Sequence, residues 1–144
     1  MILEELRIGN LISTFGNIIT KIEYISNWDN LIGSSNFCER GVEDFKPIKI
    51  TEKWIRFFGF EDYSISHGTK ELSIKSNIPS HHIVIRIGFY DSFFSVFNHS
   101  ECDFTKMQYI TQIRYVHQLQ NLYFALTQEE LILEDIVFRY SIDD

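Results

Sequence analysis

The sequence has only two prolines and two cysteines, and no apolar run in it approaches the roughly 18 residues that a membrane-crossing helix needs. No membrane partner is expected. The start, Met1-Ile2-Leu3-Glu4-Glu5, carries acids where a secretory leader would carry bases, so export is not expected either. A chain kept in the cytoplasm meets reduced thiols, and Cys38 and Cys102 are read as unpaired. Without secretion the Asn98-His99-Ser100 glycosylation acceptor is silent. Scarce proline and a hydrophobic content of 44% exclude the apolar poverty that keeps chains disordered.

Charge of one sign is also scarce, but only locally. Lys plus Arg against Asp plus Glu runs 7 to 8 over residues 1–60, 5 to 6 over 61–126, and 1 to 6 over 127–144. The net charge of −7 is therefore carried by the C-terminal end. No basic stripe supplies the phosphate attraction that duplex nucleic acid requires, so a duplex partner is disfavoured. Phosphate-cradling glycine loops, dinucleotide fingerprints, serine elbows and HExxH pairs are all missing, which argues against an enzyme and implies no cofactor.

What is present reads as one α+β domain over residues 1–144. β-branched and aromatic residues flank Phe15-Gly16-Asn17, which predicts an antiparallel hairpin, barrel-like in outline, with Ile18, Thr20, Ile22 and Tyr24 on its core face. A third strand is expected near residues 30–37. Residues 38–46, rich in charge, read as an exposed connection. Thr51 is placed to cap a short helix near 52–58, with Glu52 at its positive end, Ile50 stapled to Ile55, and Gly59 as the left-handed stop. From Glu71 to Phe97 the alternation predicts three successive antiparallel strands, the 83–89 strand being central because both its faces are apolar. Ile113, Val116, Leu119, Tyr123 and Leu126 recur at three or four residues, predicting a longer helix near 112–126 that packs on the sheet. Thr127 and Glu130 suggest a capping box for a further turn. Leu131 to Phe138 suggests an edge strand before an acidic, frayed end at 139–144.

Three blocks occur together: Glu5 to Asn10 (ELRIGN), Pro47 to Ile55 with Phe58-Gly59-Phe60, and YVHQLQNLYFALT at 115–127. They resemble a family of short uncharacterised proteins from Bacteroidetes genomes and their phages and mobile elements. The resemblance implies a lineage and a habitat, with a place in the virion left open, and no activity. Members of that family tend to have glycine at the position of Gln128. Glycine tolerates a left-handed backbone that glutamine resists, so the turn here is expected to be built differently.

Candidate chemistry is sparse. Adjacent His81 and His82 point to opposite faces of a strand and cannot chelate one ion together. His99 and Cys102 form half a metal site without a second close pair, so no metal is expected. His117, Gln118, Gln120 and Asn121 form a polar helix face inside the most distinctive block. A catalytic histidine would need a converging nucleophile or carboxylate. The preferred reading is that these side chains tie the helix to a neighbouring segment by satisfying backbone groups.

Aromatics make up 15% of the chain, more than one face of a small sheet needs. Phe57, Tyr90, Phe93 and Phe94 are the candidate partner surface, because Phe57 competes with Phe58 for the core and Phe93 and Phe94 alternate faces. The functional expectation is a non-enzymatic cytoplasmic accessory protein that binds a protein partner or itself. The alternatives are sequestration of a nucleotide-like small molecule and binding of single-stranded nucleic acid.

Overall fold

A computed structural model describes residues 3–66, 69–75, 81–87, 94–100 and 107–133. The expected hairpin is present: β1 (Leu11–Thr14) pairs antiparallel with β2 (Ile19–Ser26). In the connecting turn Asn17, not Gly16, takes the left-handed conformation, at φ 60°, which asparagine accepts more readily than most residues. Thr20 and Ile22 face the interior as their alternation requires, but Ile18 and Tyr24 are exposed. A register shift between Ile22 and Tyr24 against the next strand inserts an extra residue. Such a bulge breaks the two-residue period, and that is why Tyr24 leaves the core face.

β3 (Leu31–Ser34) and β4 (Phe37–Gly41) follow, and β5 (Phe45–Lys46) returns to pair with the far edge of β1, giving a five-stranded sheet in the order β4-β3-β2-β1-β5. The exposed connection expected at 38–46 is therefore corrected. Glu39 and Arg40 lie on the edge strand β4, where charge discourages pairing with other chains, and Phe45 on β5 turns inward and is buried.

α1 (Glu52–Phe57) begins where Thr51 accepts a bond from the Trp54 N–H at 3.4 Å. Gly59, at φ 85°, ends it. Glu52 bonds Arg56 at 2.8 Å and also meets the Lys70 ammonium, which together hold its carboxyl below the usual range against the opposing effect of burial. The second sheet runs β10-β9-β8-β7-β6, all antiparallel. Its strands are β6 (Glu61–Ser66), β7 (Thr69–Lys75), β8 (His81–Ile87), β9 (Phe94–Ser100) and β10 (Met107–Ile113). β8 is central, and Ile83, Val84, Ile85 and Ile87 are all buried. One of the two sheets curls into a half-barrel.

α2 (Val116–Thr127) starts later than the periodicity suggests. Ile113 closes β10 instead, yet it enters the same core as Val116 and Leu119. A residue three positions before a helix can share its apolar stripe without being helical. Thr127 is the last helical residue, and its hydroxyl donates back to the Tyr123 carbonyl at 2.8 Å. Glu130 pairs with Arg7 rather than closing a capping box. Leu131 and Leu133 are buried outside any strand. The rest of the expected edge strand and the acidic end lie outside the described residues.

The α2 stop also overturns an expectation. Gln128 adopts the left-handed conformation, φ 62° and ψ 18°, and its N–H bonds the Phe124 carbonyl at 2.8 Å. The turn is the one glycine would make, built at a steric cost to a residue with a Cβ. Gln128→Gly is expected to raise stability by about 1 kcal/mol, the relief of that strain outweighing glycine's greater chain entropy. A thermal melt should show the midpoint rise by about 3–5 °C.

Two hydrophobic clusters result. The larger joins Trp54, Ile55 and Phe58 of the α1 region, Val116, Leu119 and Tyr123 of α2, and the inward residues of the second sheet. The smaller holds Leu6, Ile12, Ile22, Ile32 and Phe45. Leu11 belongs to the first cluster and Ile12 to the second. Adjacent strand residues point to opposite faces, so β1 is the wall between them.

Candidate functional site

α2 carries two packed stripes instead of the usual one, the second only partly buried. Val116, Leu119 and Tyr123 face the larger core. His117, Gln120, Asn121 and Phe124, at spacings of three, one and three, face the segment that leads into β1. That segment has backbone groups to satisfy. β5 pairs only Ser13 and Thr14 of β1, so the edge beyond them is uncovered at Leu11 and Gly9. The Gln120 amide fills the gap: its Oε1 accepts from the Leu11 N–H at 2.9 Å and its Nε2 donates to the Gly9 carbonyl at 3.4 Å. A primary amide offers the same planar donor and acceptor as a peptide unit, and here it substitutes for a missing strand residue.

Asn121 continues the clasp. Its Nδ2 donates to the Glu5 carbonyl at 2.7 Å, and its Oδ1 accepts from Asn10 Nδ2 at 2.9 Å. Arg7 lies with its guanidinium 3.8 Å from the centre of the Phe124 ring and bonds Glu130 at 2.8 Å. Gln118 points elsewhere: its Oε1 takes the Arg114 and Tyr115 N–H groups at 2.9 and 3.2 Å, satisfying the start of its own helix. Gln120 and Asn121 thus tie the helix to the backbone of a neighbouring segment, whereas Gln118 bonds only the backbone at its own helix start.

His117 differs. It is 1% exposed, and neither ring nitrogen has a hydrogen-bond partner. The ring stacks on Tyr115 at 5.7 Å and 8° between planes, and the Glu5 carboxylate lies 3.7 Å from Nε2, beyond hydrogen-bond reach. Burial pushes the imidazole below its ordinary pKa, and Glu5 only partly offsets that. A general base needs a path to solvent or substrate, and this ring is sealed from solvent. Among the described residues no three His, Cys, Asp or Glu side chains converge as metal ligands. Cys38 is an exposed free thiol. Cys102 lies outside the described residues.

The aromatic surface is not where the alternation places it. Phe94 is 2% exposed, within the larger core, because it sits on the same face of β9 as Val96. Phe57 is half-buried, its ring edge-on to Trp54 at 6.2 Å, so Phe57 and Phe58 both contribute to packing. Tyr90 and Phe93 lie outside the described residues. Among the described residues the exposed aromatics are Trp28 at 96%, Phe15 at 70% and Tyr24 at 48% on the first sheet and Tyr109 at 54% on the second. A signal for Trp28 was available, since Asn27, Asp29 and Asn30 mark a turn, and a ring in a hairpin tip has no core to enter. On the second sheet, the Arg86 guanidinium lies 4.7 Å from the centre of the Phe97 ring while bonding Glu71 at 2.7 Å, and Tyr109 packs edge-on to Phe97.

The class defined by these elements is an α+β fold, built among the described residues from two antiparallel sheets and two α-helices. No helix among the described residues is long and apolar enough to cross a membrane. No protein-family profile, curated protein or solved structure matches the chain.

Proposed function

We propose that the chain is a non-enzymatic interaction protein, cytoplasmic and of phage or mobile-element origin, which binds a protein partner through the exposed aromatics of its first sheet. The observation that carries the reading is Trp28, 96% exposed although the chain buries a core large enough to hold it. Isolated large rings left in water at a hairpin tip are the residue type that dominates binding energy when a partner covers them. Tyr24 and Phe15 extend the same chemistry along β2 and the β1–β2 turn.

Trp28→Ala is expected to leave folding stability within about 0.5 kcal/mol of the parent, as an exposed site should. It is expected to weaken partner binding by at least about 10-fold, as loss of a central anchor does. A photo-crosslinker at position 28 identifies the partner, and light scattering across concentration reads self-association. A parent and variant that bind the captured partner equally would refute the role of this surface.

A second reading, a binder of nucleotide-like molecules, draws on the Arg86, Phe97 and Tyr109 cluster. Arg86 already shares its charge with Glu71, so this cluster favours a stacked ring over a phosphate. Thermal-shift screening against nucleosides and nucleotides tests it: a ligand at a hundredfold excess over Kd stabilises by about 2.7 kcal/mol.

A further inference from the structure

The hairpin tip that presents Trp28 is built, not loose. Ser26 Oγ donates to Asp29 Oδ2 at 3.1 Å, and Asn30 takes the left-handed conformation at φ 53°. The Asn30 carbonyl accepts from the Val42 N–H at 2.9 Å, which brings the short 3-10 turn Val42–Asp44 alongside the tip. A ring held on a fixed turn loses less freedom on binding than one on a mobile loop.

Among the described residues, the charged side chains of the tip and of the 3-10 turn beside it have one sign. Asp29 follows Trp28 directly, and Glu43 and Asp44 come with the 3-10 turn. Asp29 and Glu43 are exposed. The nearby bases are committed elsewhere. The Arg40 guanidinium sits 4.8 Å from the centre of the Phe37 ring, toward the opposite end of the β3–β4 pair, and Lys46 bonds Asn17 Oδ1 at 2.6 Å in the β1–β2 turn. An apolar pin with an acidic rim results.

We infer that this tip docks into a protein whose apolar pocket is rimmed by lysine or arginine. The inference rests on the interaction reading above and specifies the partner's chemistry. A second copy meeting the tip face to face would oppose acid with acid, which is unfavourable. A partner with basic side chains beside an apolar pocket matches both elements: the pocket takes the indole, and the bases meet Asp29, Glu43 and Asp44. Steering between opposite charges also speeds encounter and makes it sensitive to salt.

A displayed library of random short peptides, selected on the full chain at low salt, tests this. Three counter-targets are used: Trp28→Ala, the rim variant Asp29→Asn with Glu43→Gln and Asp44→Asn, and a Phe15→Ser, Tyr24→Ser variant. Asparagine at 29 keeps an acceptor for Ser26, and all these positions lie outside both buried cores, so folding is preserved. Peptides that pair a large apolar residue with lysine or arginine should enrich. They should lose at least about 10-fold in affinity on Trp28→Ala, and about 3-fold or more on the rim variant, with the rim effect vanishing at high salt. Enrichment of acidic or uncharged peptides would overturn the inference. So would peptides that bind the Trp28→Ala chain unchanged and fail only on the Phe15, Tyr24 variant, an outcome that leaves the interaction reading standing. If no peptide enriches on any form, both fall.

Discussion

Replacing Gln120 with leucine is expected to cost about 2–4 kcal/mol of folding stability, although the change adds apolar surface at a buried position on a helix. By volume and helix propensity alone it would be close to neutral. The cost comes from the other side of the contact. Without the amide, the Leu11 N–H and the Gly9 carbonyl lose the bonds now made at 2.9 and 3.4 Å. β5 is too short to supply replacements. Each buried group left unsatisfied costs about 1–3 kcal/mol. Urea unfolding followed by circular dichroism measures the loss, and hydrogen exchange at the Leu11 amide should show its protection fall together with global stability. An unchanged midpoint would mean that the clasp does not hold the β1 edge.

The second large effect concerns pH. His117 is held below 6.5 by burial, so the folded chain resists a proton that the unfolded chain accepts. Between a pH near 6.5 and the lower folded value the unfolded state carries more protons, and stability rises with pH across that window. The contribution is complete above about pH 6.5. It falls on acidification by up to about 1.4 kcal/mol per pH unit and levels off below the folded value. Glu52, whose carboxyl is held below 4.5, titrates on a separate limb at lower pH and is lost as pH falls through its folded value. His117→Phe keeps a planar ring against Tyr115 and removes two unsatisfied nitrogens, so it is expected to stabilise at neutral pH by about 1–2 kcal/mol. Stability curves from pH 7.5 to 5 should slope for the parent and lie flatter for the variant. Parallel curves would show that another group sets the acid limb.

Both effects arise on a helix face that was legible only in part. The spacing of His117, Gln120 and Asn121 marks one side of a helix, and amides without neighbouring charges suggest backbone partners. Their target was not readable, because Gly9 and Leu11 lie more than a hundred residues away and nothing local says that β5 will stop short. The Thr51 cap and the Gly59 stop were readable, since both act within one turn. Tyr24 was misplaced because a bulge depends on the register of the partner strand. β6 and β10 escaped notice for a related reason. Edge strands such as Glu61–Ser66 and Met107–Ile113 need bury only part of one face, which blurs their alternation. Phe94 was assigned outward because alternation separates it from Phe93 without saying which of the two faces the helices.

The Gln120 clasp also bears on synthesis. The β1 edge leaves the ribosome early, while the side chain that seals it is made 109 residues later, roughly 5–20 s at ordinary elongation rates. Through that interval the nascent first sheet presents an open flank to its surroundings. Any folding helper that recognises unsealed β-structure should engage the chain during translation and let go only as the 116–127 helix emerges.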